Sequence, residues 1–295
     1  MAAPLRVLEW PGGDSGWLTD THNAPPNIQE WLRDHTPLLA AVKINPSAPL
    51  RAMAGAWGDG PGADYTLGRW AHRCAANYSV SPEPWLLRLQ IEQDLLAPDE
   101  PLQGYTLTRV VGQSEYPEKW KPAPWNQPVG EHYFLDTHEG KPGLVLIRGD
   151  RRIACACGFG IPDHGRRAPW SLTAYGEGLH PALRTGVPVF GLEAQTLFFH
   201  WYLRRQIDKF EVGIVTQEEI VRAMREKREP RPVRQTTREL YPTDEERALA
   251  KAEGRRPRGE IVECGSAAVY WGTGYTPYEP GLATIQKMAE KRGFA

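Results

Sequence analysis

The chain has 295 residues, 41% of them hydrophobic, enough to bury the core of one large domain or two small ones. A formal net charge of −1 provides no global field toward polyanions, so a general nucleic-acid binder is excluded. No basic start leads into an apolar run and no stretch reaches transmembrane length, so neither a signal peptide nor membrane insertion is expected.

Residues 1–60 are irregular and rich in Pro, Gly and Trp. Asn27 is a plausible cap for a short helix over 27–34, and a second short helix is possible over 37–42. The first strong helix spans 65–78, where Leu67, Trp70, Ala71, Cys74, Ala75 and Tyr78 recur at three- and four-residue spacing.

The next helix, 81–96, carries the sharpest chemical clue. Ser81 can cap it, Pro82 gives up an N–H that would be unpaired anyway, and Glu83 sits where the helix dipole favours an anion. On a helical wheel Trp85, Leu89, Leu95 and Leu96 form the apolar arc, and Glu92 falls inside it. Arg88 lies on the same side one turn earlier, whereas Gln90 and Asp94 point away. A carboxylate on a buried face is costly unless it is paired or protonated. Glu92 is therefore either an ion-pair partner of Arg88 or an acid held neutral for chemistry.

Pro98 and Pro101 end this helix, and residues 103–157 read as strands and loops. Weak alternation marks 105–111, and 144–147 with 153–155 frame a hairpin around Gly149-Asp150. Cys155 and Cys157 are one residue apart, which in a strand puts them on one face but is not the spacing of a redox or zinc motif. No metal and no other cofactor is expected. Pairing of Cys264 with either of them, or free thiols throughout, is left open.

The turn-rich segment Cys157-Gly158-Phe159-Gly160-Ile161-Pro162-Asp163 precedes a helix over about 189–210 that is apolar nearly all round and should be central and buried. Gln195 within it must hydrogen-bond something. Residues 218–260 hold 12 Lys/Arg and 10 Asp/Glu and few large apolar residues, which predicts a solvated excursion, part helix and part linker. Beyond it, a turn over 271–274 and the segment Tyr275-Thr276-Pro277-Tyr278 lead into a last helix, 281–291.

Three of these pieces, in this order, resemble one family. Tyr78 through Gln93, with its turn, proline and Leu-rich helix ending in Gln-x-Glu-Gln, resembles the acid-bearing helix of lysozyme-like bacterial cell-wall hydrolases. Residues 157–163, followed by Phe190-Gly191 and Gln195, resemble the Gly-rich and Phe-x-x-Gln pieces of actinobacterial members, and Tyr275-Thr276-Pro277 resembles their closing element. The resemblance covers about half the chain. It implies an α+β, mainly α fold: a lysozyme-like helical domain with a small β lobe and long Pro/Gly-rich loops. The expected division is an irregular segment 1–60, a lysozyme-like core 61–215 with a β-hairpin insertion, a charged linker 216–260, and an element 261–295 packing back on the core.

The resemblance places Glu92 at the position of the general acid. It makes Asp163 a residue that could orient water, and Gln195, Tyr275, Thr276 and Gly160 candidates for substrate contact. Each also has a plain structural reading: a turn for Asp163, a core network for Gln195, a buried ring for Tyr275. The activity implied is cleavage of peptidoglycan glycan strands, of muramidase or lytic transglycosylase type. With no secretion signal, this fits a bacteriophage endolysin or virion-associated lysozyme, carried or released to the wall by a partner. The alternative is a structural virion or tail protein whose degenerate lysozyme-like domain serves contacts with other subunits.

Overall fold

A computed structural model describes residues 4–10, 18–19, 27–40, 43–44, 46, 48–55, 65–93, 105–109, 144–148, 151–153, 192–277 and 279–291; at residues 38, 43, 48–49, 92–93, 105–109, 144–148, 151–153 and 275 it describes the backbone alone. In chain order the elements are β1 (Val7–Leu8), α1 (Ile28–His35), α2 (Pro37–Ala40), β2 (Lys43–Ile44), α3 (Ala48–Met53), β3 (Tyr65–Thr66), α4 (Leu67–Tyr78) and α5 (Glu83–Gln93). Next come β4 (Tyr105–Arg109), β5 (Leu144–Arg148), β6 (Arg151–Ile153), α6 (Leu192–Glu211), α7 (Gln217–Glu226) and β7 (Thr237–Glu239). The chain closes with α8 (Asp244–Ala252), β8 (Ile261–Cys264), α9 (Ala267–Tyr275) and α10 (Glu279–Lys291). The described part is α+β and mainly α. It divides into two compact units, one formed by residues 21–201 and the other by 1–20 with 202–295, so α6 contributes to both.

In the first unit local sequence sets the helix ends. Asn27 accepts from the Glu30 N–H at 3.2 Å and starts α1, and Thr66 accepts from Arg69 N–H and starts α4. Helix α4 ends where Ser79 adopts the left-handed conformation, φ 50°, and Val80 N–H reaches back to the Ala75 carbonyl at 3.1 Å. Ser81 Oγ then accepts from Glu83 N–H at 3.3 Å, the capping the sequence predicts for α5. Helices α1 and α4 meet at Gly68, where an added Cβ would lie 2.6 Å from the Gln29 Cα. Gln29 stitches the contact, accepting from Gly68 N–H at 2.9 Å and donating to the Ala40 carbonyl at 2.7 Å.

The core of this unit contains Leu32, Leu67, Trp70, Ala71, Cys74, Trp85, Leu86, Leu87, Leu89, Leu197, Phe198 and Phe199. Two small sheets accompany the helices. Strands β2 and β3 pair antiparallel, and β4-β5-β6 form an antiparallel three-stranded sheet with Thr106 opposite Ile147 and Arg148 opposite Arg151. The predicted hairpin of residues 144–155 is thus present as β5 and β6, joined by a third strand from the weakly alternating stretch.

The second unit is built on a three-stranded sheet of order β1-β8-β7, with β1 parallel to β8 and β7 antiparallel to it. Its core includes Leu8, Trp10, Leu203, Ile207, Ala223, Leu240, Ala250, Val262, Val269, Trp271, Leu282 and Ile285. Two sequence expectations are corrected here. Within residues 216–260, α7 fulfils the helical part of the predicted excursion, and the stretch that composition reads as linker supplies β7 and α8. The apolar contribution of residues 216–260 is small in side-chain volume (Ala223, Leu240 and Ala250), and caps and ion pairs complete it. Thr216 and Thr243 cap α7 and α8, and buried Glu219 accepts from Arg228 Nη1 at 2.6 Å and from the Arg231 N–H at 3.1 Å. Residues 271–274 are not a turn but the last part of α9. The glycines that read as turn markers sit at close approaches: a Cβ on Gly272 would lie 2.5 Å from Leu282 on α10, and one on Gly274 would lie 2.6 Å from the Arg238 guanidinium.

Candidate active site

Glu92 is the next-to-last residue of α5, and its side chain lies outside the described residues. The helix that carries it differs from the one-sided helix of the wheel. Leu86 and Leu87 are as fully buried as Trp85 and Leu89, and Glu83 and Arg88 are buried too, so residues 83–89 are enclosed on every side. Burial relaxes only at Gln90 and Ile91. Leu95 and Leu96, placed on the apolar arc by the sequence, lie outside the described residues, as do Asp163, Gly160 and the Gly-rich segment.

Gln195 lies in the first turn of α6 and is fully buried, in the same unit as α5. Tyr275 and Thr276 belong to the other unit. Tyr275 is the last residue of α9, with its side chain outside the described residues. Thr276 is the C-cap, its N–H donating to the Gly272 carbonyl at 2.8 Å. In that unit a cavity of about 860 Å³ is bordered by Tyr241, Thr243, Arg258, Pro277 and Glu279. Trp85 and Trp271 are buried in the cores of their units, and Trp201 is stacked on Phe198 at 5.2 Å between centroids.

The α5–α6 region has chemistry that sequence reasoning missed. Besides Gln195, the buried part of α6 carries Glu193, Thr196 and His200. His200 Nδ1 lies 2.7 Å from the Thr196 carbonyl oxygen. A carbonyl only accepts, so Nδ1 carries the proton and Nε2 offers a lone pair. Burial pushes the imidazole down to about 4, against the opposing pull of the Thr196 carbonyl, so the ring is neutral at pH 7. The Trp85 ring stands 6.2 Å from the His200 ring. Trp70 Nε1 donates to the Glu193 carbonyl at 3.0 Å, tying α4 to the start of α6. The available signal was the run Gln195-Thr196 with His200 one turn on, polar residues in an otherwise apolar helix.

Cys74 and Cys264 are buried free thiols, both pushed above the ordinary cysteine range mainly by burial. Among the described residues, no group of three or more His, Cys, Asp or Glu side chains has the arrangement to hold a metal ion. No helix among them is long and apolar enough to cross a membrane. Comparison with models of known protein families, with characterised proteins and with solved structures finds no match.

Proposed function

We propose that the chain cleaves the glycan strands of peptidoglycan, with Glu92 as the general acid. The observation that carries this reading is the placement of Glu92 at the end of α5. Position 92 continues the row of Trp85 and Leu89 along a helix that is buried through residue 89. On this reading Glu92, on the apolar face where the sequence puts it, holds its carboxyl protonated near neutral pH. It can then donate its proton to a glycosidic oxygen as the C–O bond breaks. The next described element is the antiparallel sheet β4-β5-β6, in keeping with an acid-bearing helix followed by a small β lobe.

On this reading Asp163 orients a water and Gly160 contacts the substrate, while Gln195, fully buried, keeps its plain structural role. Attack by water gives a hydrolysed end, and attack by the sugar's own hydroxyl gives an anhydro end. The protein would act from a phage particle or as an endolysin. The test is incubation of purified protein with bacterial sacculi, following turbidity and released muropeptides beside the Glu92→Gln variant. Clearing that depends on Glu92 supports the reading. Clearing indifferent to the substitution removes Glu92 from the role.

One observation favours a second reading, in which the chain is a structural virion protein. The large hydrophobic residues exposed among the described residues, including Val212, Met224, Tyr241 and Ile261, all belong to the unit formed by residues 1–20 and 202–295. Such positions suit contacts with other subunits. A protein that clears no sacculi yet assembles with particle proteins would follow this second reading.

A further inference from the structure

Among the described residues, three buried side-chain polar atoms have no hydrogen-bond partner: Trp85 Nε1, Thr196 Oγ1 and His200 Nε2. All three come from one helix pair. Thr196 and His200 are one turn apart on α6, and Trp85 on α5 faces the His200 ring. An orphaned buried polar group is costly, so three on one helix pair call for a partner.

We infer that α5 and α6 enclose a binding site for one small neutral hydroxylic molecule, a resident water, held by Trp85 Nε1, His200 Nε2 and Thr196 Oγ1. The donor pattern selects the class. Trp85 Nε1–H can only donate, and His200 Nε2 can only accept because Nδ1 holds the ring proton against the Thr196 carbonyl. The Thr196 hydroxyl can do either. The occupant must therefore accept at one end and donate at the other. A bare cation would face the indole N–H, and an anion would face the imidazole lone pair. The indole and imidazole rings are neighbours, their centroids 6.2 Å apart. Three polar partners are the usual number for a buried water, and all three residues are fully buried. The inference does not depend on the proposed activity.

The test is NMR of the full-length protein carrying isotope-labelled tryptophan and histidine. The expected result is a cross-relaxation peak between the Trp85 indole proton and a long-lived water. The His200 ring should show Nδ1 protonated and Nε2 shifted as a hydrogen-bond acceptor. Thr196→Val should weaken the water peak while leaving the amide spectrum folded. Trp85→Phe assigns the indole resonance; should that variant fail to fold, through-space connectivities in the unmodified protein assign it. An indole proton with no water contact and the shift of an unbonded N–H would overturn the site. So would a His200 ring protonated at Nε2, or an indole bonded directly to a protein acceptor.

Discussion

Arg238 lies over the ring of Tyr270, its guanidinium carbon 3.6 Å from the ring centroid, while its Nη2 donates to Gln206 Oε1 at 2.9 Å and its Nε to the Tyr270 carbonyl at 3.2 Å. Tyr270 in turn donates its hydroxyl to Gln235 Oε1 at 2.9 Å. One planar cation thus ties β7, α9 and the end of α6 together. A lysine keeps the charge but not the plane or the fork. Arg238→Lys should destabilise the protein by about 1–2 kcal/mol, the size of a partly desolvated cation–π contact with its hydrogen bonds. Urea unfolding followed by tryptophan fluorescence reads it, and a loss no larger than a few tenths of that would show the stack to be incidental.

The contact of α1 with α4 should tolerate no side chain at position 68. A methyl group there meets Gln29 backbone at 2.6 Å, and backbone does not yield as a side-chain tip does. Gly68→Ala should cost about 1–3 kcal/mol, the range of overpacked sites, despite alanine's better helix propensity. A lowered unfolding midpoint checks this.

Lys227 offers the opposite case. It ends α7 in the left-handed conformation, φ 53°, a position where glycine has no steric cost. Lys227→Gly should stabilise by up to about 1 kcal/mol, since a side chain in that region costs about 1–2 kcal/mol and glycine gives some back in unfolded-state entropy. The measurement is the rise in the unfolding midpoint.

Acid should weaken the protein in two successive windows. His200 is held down to about 4 in the fold, against an ordinary value of 6.5. Between those values the unfolded chain binds the extra proton, so stability falls as pH drops from about 6.5 to 4. Arg228 and the Arg231 N–H hold Glu219 down to about 2 against 4.5, and Arg255 with the Arg258 N–H does the same for Glu246. Their contribution is complete above 4.5 and lost as pH falls toward 2. The measurement is stability against pH. His200→Gln should flatten the upper window and leave the lower one, and an unchanged slope between 6.5 and 4 would contradict the burial of a neutral imidazole.

Much of the helical order was legible because apolar spacing and caps are local. Asn27, Ser81 and the 67–78 periodicity each announce a helix that is present, and the 144–155 hairpin follows from two apolar runs around Gly149-Asp150. Tertiary contacts overrode the local signals elsewhere. Gly272 and Gly274 read as a turn because their function, letting α10 and Arg238 approach α9, is not local. Residues 216–260 read as a solvated excursion because Ala223 and Ala250 contribute little to composition although both are fully buried, and because the ion pair of Glu219 with Arg228 joins residues nine apart. On α5 the wheel finds the row of Trp85, Leu89 and Glu92, but Leu86 and Leu87 on the other sides are buried by neighbours no wheel contains. The polar trio of Trp85, Thr196 and His200 needs two helices facing each other, which a single sequence does not display.

The most direct test of the proposed activity is the mass spectrum of soluble products released from purified sacculi by the parent protein and by Glu92→Gln, each first shown folded by circular dichroism. The account predicts muropeptides with cleaved glycan bonds from the parent and a loss of at least about a hundredfold with the variant, the scale of general-acid catalysis. Equal release by both proteins, or none by the parent on several wall types, would contradict it.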